Sequence, residues 1–354
     1  MRLLYITYKV DSGNSLVGHV VGWIRGLSEN FSRIEVICLT YSGENLPENV
    51  HVYPLVEEGG ISRFRRTIKF FQIVWKLRDS VQAVFCQFSP EYVLGIAPFA
   101  IWRSWPIVLW YTHRHVSWRL RFATLLSKCV VTASPESFRI KSKKTTIIGH
   151  GINTDQFKPG LNVVDIPSVI LSVGRLSPIK NYELLIDAVV CLRETYGKES
   201  LVVRIVGGDE GNAPQGYRSI LQARIDESGL GNIVKLVGPI PFGQIVGEYA
   251  SASAHVNLCV TGGMDKAVLE GMACGVPTLV RNESFASMAT VTSGLELLNS
   301  DDVNLIAEQL LKLIRISDGD RKLIATGMWE AVDHFHGQEK FLLVLAETIH
   351  QFAD

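Results

Sequence analysis

The feature that most constrains this chain is a serial alternation. Short, apolar, β-rich runs recur along the 354 residues, separated by longer stretches of helical character. In the first half the strand candidates are Leu3–Tyr8, Ile34–Thr40, Val50–Leu55, Ala83–Phe88, Ile107–Tyr111, Cys129–Ala133 and Thr146–Gly149. Most lack polar alternation, the pattern of strands buried on both faces of a parallel sheet. Helical stretches such as Leu16–Glu29 and Ile61–Arg78 lie between them. The series then restarts with Val169–Val173, Leu201–Val206, Ile233–Val237, His255–Cys259 and Thr278–Val280, separated by helices at Tyr182–Thr195, Tyr217–Ser228, Phe242–Ser251 and Lys266–Cys274. Two βαβ series predict an α/β protein of two Rossmann-like, doubly wound domains facing a cleft. Lys158–Ser168, with two prolines, a glycine and no periodicity, reads as the linker. The expected domains are 1–158, 159–335, and a C-terminal helix over 336–354 that packs back on the first.

Length agrees with two domains, and 47% hydrophobic residues suffice for two cores. A disordered, collagen-like or disulfide-stapled chain is excluded. Six cysteines without C-x-x-C spacing read as small buried hydrophobes in a reducing compartment. The opening MRLLYITYKV lacks the length and cleavage site of a signal peptide, and prolines and Arg103 interrupt the most apolar stretch, Tyr92–Tyr111. A cytoplasmic protein is expected.

Formal net charge is zero, with 35 basic and 35 acidic residues, but the average conceals a polarity. Residues 60–145 hold fifteen Lys and Arg against Asp79, Glu91 and Glu136, a window of +12. Five of the seven tryptophans (Trp75, Trp102, Trp105, Trp110, Trp118) lie in it. In the helical stretch Ile61–Arg78, Arg63, Arg66, Lys69 and Lys76 alternate with Phe64, Ile68, Phe71 and Trp75. Basic residues among interfacial aromatics suit an anionic membrane surface; an ordinary solvated basic face is the alternative. No RNA- or DNA-recognition motif accompanies the charge, so nucleic acid is not an expected partner.

Two segments carry chemistry. In Val173-Gly174-Arg175-Leu176-Ser177-Pro178-Ile179-Lys180-Asn181 a buried strand ends and a helix follows. Arg175 and Lys180 put two cations beside a helix N-terminus at a strand's carboxyl end, which suits a diphosphate. Two solvated loop charges are the plain alternative. In Gly262-Gly263-Met264-Asp265-Lys266-Ala267-Val268-Leu269-Glu270, a glycine turn feeds a helix. Free amides and glycines allow close approach to an anion or a sugar hydroxyl. Glu270 lies one turn beyond Lys266, placed either to accept hydrogen bonds from a ribose diol or to form an ordinary i,i+4 surface pair.

These segments, in this order, resemble retaining glycosyltransferases of family 4, with the GT-B fold. Gly149-His150-Gly151-Ile152-Asn153-Thr154-Asp155-Gln156-Phe157 is similar to the family's "GIDxxxF" segment, Val206-Gly207-Gly208-Asp209 to its "VGDG" strand end, and Val237-Gly238-Pro239-Ile240 to its "xGxV" turn. Gly13 stands where the family has its glycine loop. The resemblance implies that a sugar moves, with retained configuration, from a nucleotide-diphosphate donor, UDP- or GDP-linked, to a saccharide or lipid-linked acceptor in glycan or glycolipid assembly. Arg175 and Lys180 would hold and stabilise the leaving diphosphate, Glu270 the ribose, and His113 the sugar. Gly13, Gly207, Ile240, Gly263, Met264, Asp265 and Lys266 would complete the donor site. No cofactor is implied. The family's E-x7-E pair ends here at Glu270, but its first position is Gly262; Asp265 is the nearest carboxylate. That departure keeps a catalytically silent nucleotide-sugar-binding or partner subunit as an alternative, alongside a GT-B sugar-nucleotide epimerase or phosphorylase. Asp318-Gly319-Asp320 reads as a turn with a helix cap rather than a metal site.

Overall fold

The computed structural model describes residues 1–56, 62–160, 168–196, 201–209 and 216–353. They form two compact units: Met1–Asn153 with His336–Asp354, and Thr154–Phe335. The sequence places the boundary at 158. The structure assigns Thr154–Phe157 to the second unit, where the Thr154 hydroxyl donates to Asp333 (2.6 Å), Trp329 Nε1 donates to the Thr154 carbonyl (3.0 Å), and Phe157 packs on Phe242 and Tyr249. Most of the expected linker, 161–167, lies outside the described residues.

The first unit holds strands β1 (Arg2–Ile6), β2 (Arg33–Cys38), β3 (Val50–Pro54), β4 (Ala83–Gln87), β5 (Ile107–Trp110), β6 (Cys129–Thr132) and β7 (Thr145–Ile147). All pair in parallel, in the order β3-β2-β1-β4-β5-β6-β7. Both faces are apolar because alternate side chains point to opposite sides. Leu3, Tyr5, Val36 and Phe85 face helix α1 (His19–Ser28) and the C-terminal helix Gln338–Ala353. Leu4, Ile6, Ile37 and Val84 face α2 (Arg63–Leu77), α3 (Pro90–Arg103) and α4 (Trp118–Leu126).

The second unit holds β8 (Ser168–Val173), β9 (Leu201–Val206), β10 (Val234–Gly238), β11 (Ala254–Asn257), β12 (Thr278–Val280) and β13 (Leu295–Leu297). Their order is β10-β9-β8-β11-β12-β13, all parallel. Helices α5 (Tyr182–Tyr196), α6 (Tyr217–Glu227), α7 (Ile245–Ala250) and α8 (Lys266–Ala273) lie between successive strands. The chain winds outward from β8 in one direction and from β11 in the other. In open α/β sheets the crevice at such a reversal is where ligands bind.

Two sequence expectations are corrected, at Asp318–Asp320 and among the tryptophans. Asp318-Gly319-Asp320 is not a turn: it forms the first turn of helix Asp318–His336, where the Ser317 hydroxyl accepts from the Asp320 amide (3.2 Å) and donates to its carboxylate (2.7 Å). The interrupted apolar stretch at Tyr92 begins within helix α3, which tolerates Pro98 in its interior. Trp105 and Trp110 are buried, so they take no part in a surface belt, whereas Trp75, Trp102 and Trp118 are exposed. Among the described residues, no helix is long and apolar enough to cross a membrane.

Candidate nucleotide-sugar site

The turn after β8 is built by close backbone approach. A Cβ on Gly207 would lie 1.9 Å from the Gly174 carbonyl oxygen, so only glycine lets the ends of β8 and β9 meet. The Gly174 amide donates to the Val206 carbonyl (2.9 Å) and the Leu176 amide to the Gly208 carbonyl (2.8 Å). Tyr182 donates its hydroxyl to the Gly174 carbonyl (2.9 Å). Pro178–Lys180 form a 3-10 turn that ends at Asn181 in the left-handed conformation (φ 52°). Asn181 Nδ2 donates to the Leu258 carbonyl (2.9 Å), which ties this turn to the loop after β11.

That tie brings Lys180 against Asp265. The ammonium donates to Asp265 Oδ2, and Asn257 Nδ2 donates to the same oxygen (2.9 Å). Asp265 is also the N-cap of α8, with Oδ1 accepting from the Ala267 amide (3.3 Å). Burial opposes the Asp265 charge, but the Lys180 ammonium and these hydrogen bonds outweigh it and hold the carboxyl at about 2. Burial likewise works against the Lys180 ammonium; the Asp265 carboxylate overcomes it and raises the Lys180 pKa. Arg175 is exposed on the same turn, within Coulomb range of Lys180. Asp265 offsets the Lys180 charge, so Arg175, Lys180 and Asp265 together leave one net positive charge beside the N-terminus of α8.

The Lys266–Glu270 pair is not the surface pair that spacing alone allows. Glu270 is buried, and burial raises its carboxyl pKa while lowering that of Lys266, each partly offset by the other's charge. Beneath it, Tyr249 donates to the Ala267 carbonyl (2.9 Å), and its ring meets the fully buried His255 edge-on. Gly271 keeps this layer tight: a Cβ there would stand 3.1 Å from His255 Nδ1. Burial drives the His255 pKa down to about 4, so its ring is neutral at neutral pH.

The remaining residues divide between the units. Gly263 and Met264 lie in the loop after β11, where the Gly263 carbonyl accepts from Asn282 Nδ2 (3.0 Å) and Met264 is buried. Gly262 adopts φ +115° and faces open space. The backbone there takes a conformation that favours glycine. Ile240 is half-buried after β10, beside the Gly207–Gly208 turn, whose Gly207 amide donates to the Gly238 carbonyl (2.9 Å). Gly13 and His113 belong to the first unit. Gly13 lies in an exposed turn, its amide donating to Asp11 (3.0 Å). His113 is exposed after β5, edge-on to Tyr111, whose hydroxyl donates to the His115 carbonyl (2.8 Å) and shapes the loop. Asn257 and Asn181 are not singled out by sequence reasoning. The available signal was a polar residue at the carboxyl end of the apolar run His255–Cys259.

Residues 153–327 match the family described as glycosyl transferases group 1. D-inositol 3-phosphate glycosyltransferase from Corynebacterium jeikeium is 28% identical over 185 residues, 49% of this chain and 44% of that protein. D-inositol 3-phosphate glycosyltransferase 2 from Catenulispora acidiphila is 28% identical over 148 residues, 38% of this chain and 34% of that protein. The chain thus spans less than half the length of these curated relatives. Among solved structures, Anabaena HepE in complex with UDP and glucose superposes with a TM-score of 0.77 at 18% identity, covering 99% of both chains. A glycosyltransferase from Rickettsia africae superposes with a TM-score of 0.77 at 15% identity, covering 99% of this chain and 98% of that one.

Proposed function

We propose that this GT-B chain, whose residues 153–327 are a glycosyl transferases group 1 segment, is a retaining, metal-independent hexosyltransferase acting on a nucleotide-diphosphate sugar. The observation that carries this reading is the Lys180–Asp265–Asn257 cluster, with Arg175 beside it, at the reversal point of the second sheet. Arg175, Lys180 (shared with Asp265) and the N-terminus of α8 supply the countercharge for a diphosphate, the role a metal ion fills in other sites. Arg175 offers a forked donor and Lys180 a point charge. Glu270, one turn into α8, accepts from the ribose diol, and His113 hydrogen-bonds the transferred sugar. Gly13, Gly207, Ile240, Gly263, Met264 and Lys266 line the donor.

The chemistry is a same-face displacement. The bond from the anomeric carbon to the phosphate oxygen breaks, the acceptor oxygen bonds to that carbon, and the acceptor's proton passes to the departing phosphate. Negative charge grows on the diphosphate as the bond breaks, so Arg175 and Lys180 gain most in the transition state.

The acceptor is a saccharide or a lipid-linked saccharide in polysaccharide or glycolipid assembly, reached at the inner face of a membrane. Supporting this, Phe64, Trp75, Trp102 and Trp118 are exposed within the basic window of residues 60–145. Gly262 favours one second reading, a subunit that binds nucleotide sugar without transferring it. Incubation of the purified chain with UDP- and GDP-sugars and candidate acceptors separates them. Transfer with retained configuration, lost in Lys180→Ala, supports the first; donor binding without turnover supports the second.

A further inference from the structure

The amino-terminal end of β5 carries a cavity that the sugar chemistry does not use. It lies between the last turns of α3 and α4 and has a volume of about 250 Å³. Ala97, Ala100 and Ile101 line it from α3, Ile107 from β5 and Leu126 from α4, with Trp105 closing the inner side. The charged residue in the lining is Lys128, which is exposed. Hydrogen bonds tie the ends of both helices. Ser104 caps α3 in the left-handed conformation (φ 57°), and the Trp105 amide returns to the Ala100 carbonyl (2.8 Å). Lys144 Nζ donates to the Leu125 and Ser127 carbonyls (2.8 and 2.9 Å), clamping the end of α4.

The surroundings of this cavity are apolar and cationic together. Ile101 and Leu125 are about 70% exposed. Next to Ile101, Trp102 stacks on Trp75 (centroids 5.8 Å, interplanar 11°). Arg78 lies over the Trp75 ring (4.4 Å) and Arg103 over Trp102 (5.4 Å). Both arginines share one carboxylate, Asp79, at 3.3 and 3.1 Å, so the cluster keeps a positive balance before Lys128 is counted. A cavity near 250 Å³ is below the ~300–1,000 Å³ of sites for drug-sized ligands, and its apolar lining offers a sugar few hydrogen-bond partners.

We propose that this cavity takes one acyl chain of an anionic glycerophospholipid, whose phosphate meets Lys128 at the mouth while Trp75 and Trp102 lie in the headgroup layer. This deepens the membrane-surface reading above and rests on it: the surface would hold the first unit by a seated lipid and not by charge alone.

The test titrates the full chain, followed by tryptophan fluorescence, with monomeric dibutanoyl- and dihexanoyl-phosphatidylglycerol, dihexanoyl-phosphatidylcholine and glycerol 3-phosphate. Vesicle flotation on phosphatidylglycerol bilayers runs in parallel. The expected result is saturable binding of dihexanoyl-phosphatidylglycerol, tighter by about fourfold for each additional methylene buried. Glycerol 3-phosphate should not bind. Ala100→Phe, which fills the cavity, should abolish lipid binding. Because that variant could misfold, Lys128→Glu on the exposed rim is the second: it should erase the preference for phosphatidylglycerol over phosphatidylcholine. If the chain floats with vesicles but binds no monomeric lipid, or binds it unchanged in Ala100→Phe, the cavity proposal fails and the surface reading stands. Glycerol 3-phosphate binding as tightly as the lipid overturns the acyl proposal in favour of a phosphate site. Absence of both flotation and lipid binding overturns both readings.

Discussion

The Lys180 ammonium donates to the Asp265 carboxylate across the point where the second sheet reverses its winding. One residue follows β8 and the other follows β11, so the pair joins the two halves of that sheet at its ligand-binding end. Asp265 holds the lysine in place, and Asn257 holds Asp265 (2.9 Å). Lys180→Ala should therefore lower kcat/KM by about 10²–10³-fold, the loss typical when one donor to a developing anion is removed. Arg175→Ala should act in the same direction. Steady-state kinetics on the purified variants check both.

Glu270 and the cation pair have separable tasks. Glu270→Gln should weaken nucleotide-sugar binding by about tenfold, the loss of one hydrogen bond to the ribose diol, while inorganic pyrophosphate binds as before. Lys180→Ala should weaken both. Calorimetric titration with each ligand distinguishes the ribose role of Glu270 from a general loss of structure.

The glycines of the site predict opposite kinds of sensitivity. Gly207→Ala forces a Cβ to within 1.9 Å of the Gly174 carbonyl oxygen, and the β8 and β9 ends must separate. Its cost should exceed about 3 kcal/mol in denaturant unfolding. At Gly262 space is open but φ is +115°, so Gly262→Ala should cost about 1–2 kcal/mol through strain alone. Gly262→Glu should carry the same backbone strain, because φ +115° disfavours any side chain there.

Much of this architecture was legible from residue order. Buried parallel strands read as unbroken apolar runs, so β1, β9 and β12 stand out to within a residue or two. Strand β13 does not: it has three residues, and Glu296 is exposed on it. Arg175 and Lys180 are conspicuous as charges just past a buried strand. The placement of Lys266 and Glu270 is not, because i,i+4 spacing is identical on a solvated face and a buried one. Asn257 was hidden for a different reason. Its task of holding Asp265 depends on the β8–β11 neighbourhood, a long-range pairing that local spacing does not encode.

Stability should fall as the solution is acidified, in two windows. Unfolded histidine takes up a proton near 6.5, whereas burial holds His255 and His336 at about 4. Between those values the unfolded chain binds more protons, so stability drops as pH drops, by at most roughly 3 kcal/mol per histidine. Asp265, at about 2 folded, contributes above the ordinary carboxyl range near 4 and loses that contribution as pH falls through 2. Unfolding curves from pH 7 to 4 should flatten measurably in His255→Phe.

The exposed aromatic ladder predicts salt-sensitive surface binding. Removing both rings in Trp75→Ala with Trp102→Ala should reduce flotation on anionic vesicles at least tenfold without changing donor affinity. Flotation of the unaltered chain should weaken as salt rises, since the charges of Arg78, Arg103 and Lys128 are screened.

The proposed transfer requires that Arg175 and Lys180 bind the diphosphate of a nucleotide sugar. Its most direct test is a thermal-shift titration of the native chain and Lys180→Ala with UDP-, GDP-, ADP- and dTDP-sugars. At a hundredfold excess over Kd, the bound sugar nucleotide should raise the native Tm by about 5–10 °C, and the shift should vanish in the variant. No shift with any sugar nucleotide, or an equal shift in both proteins, would contradict the account.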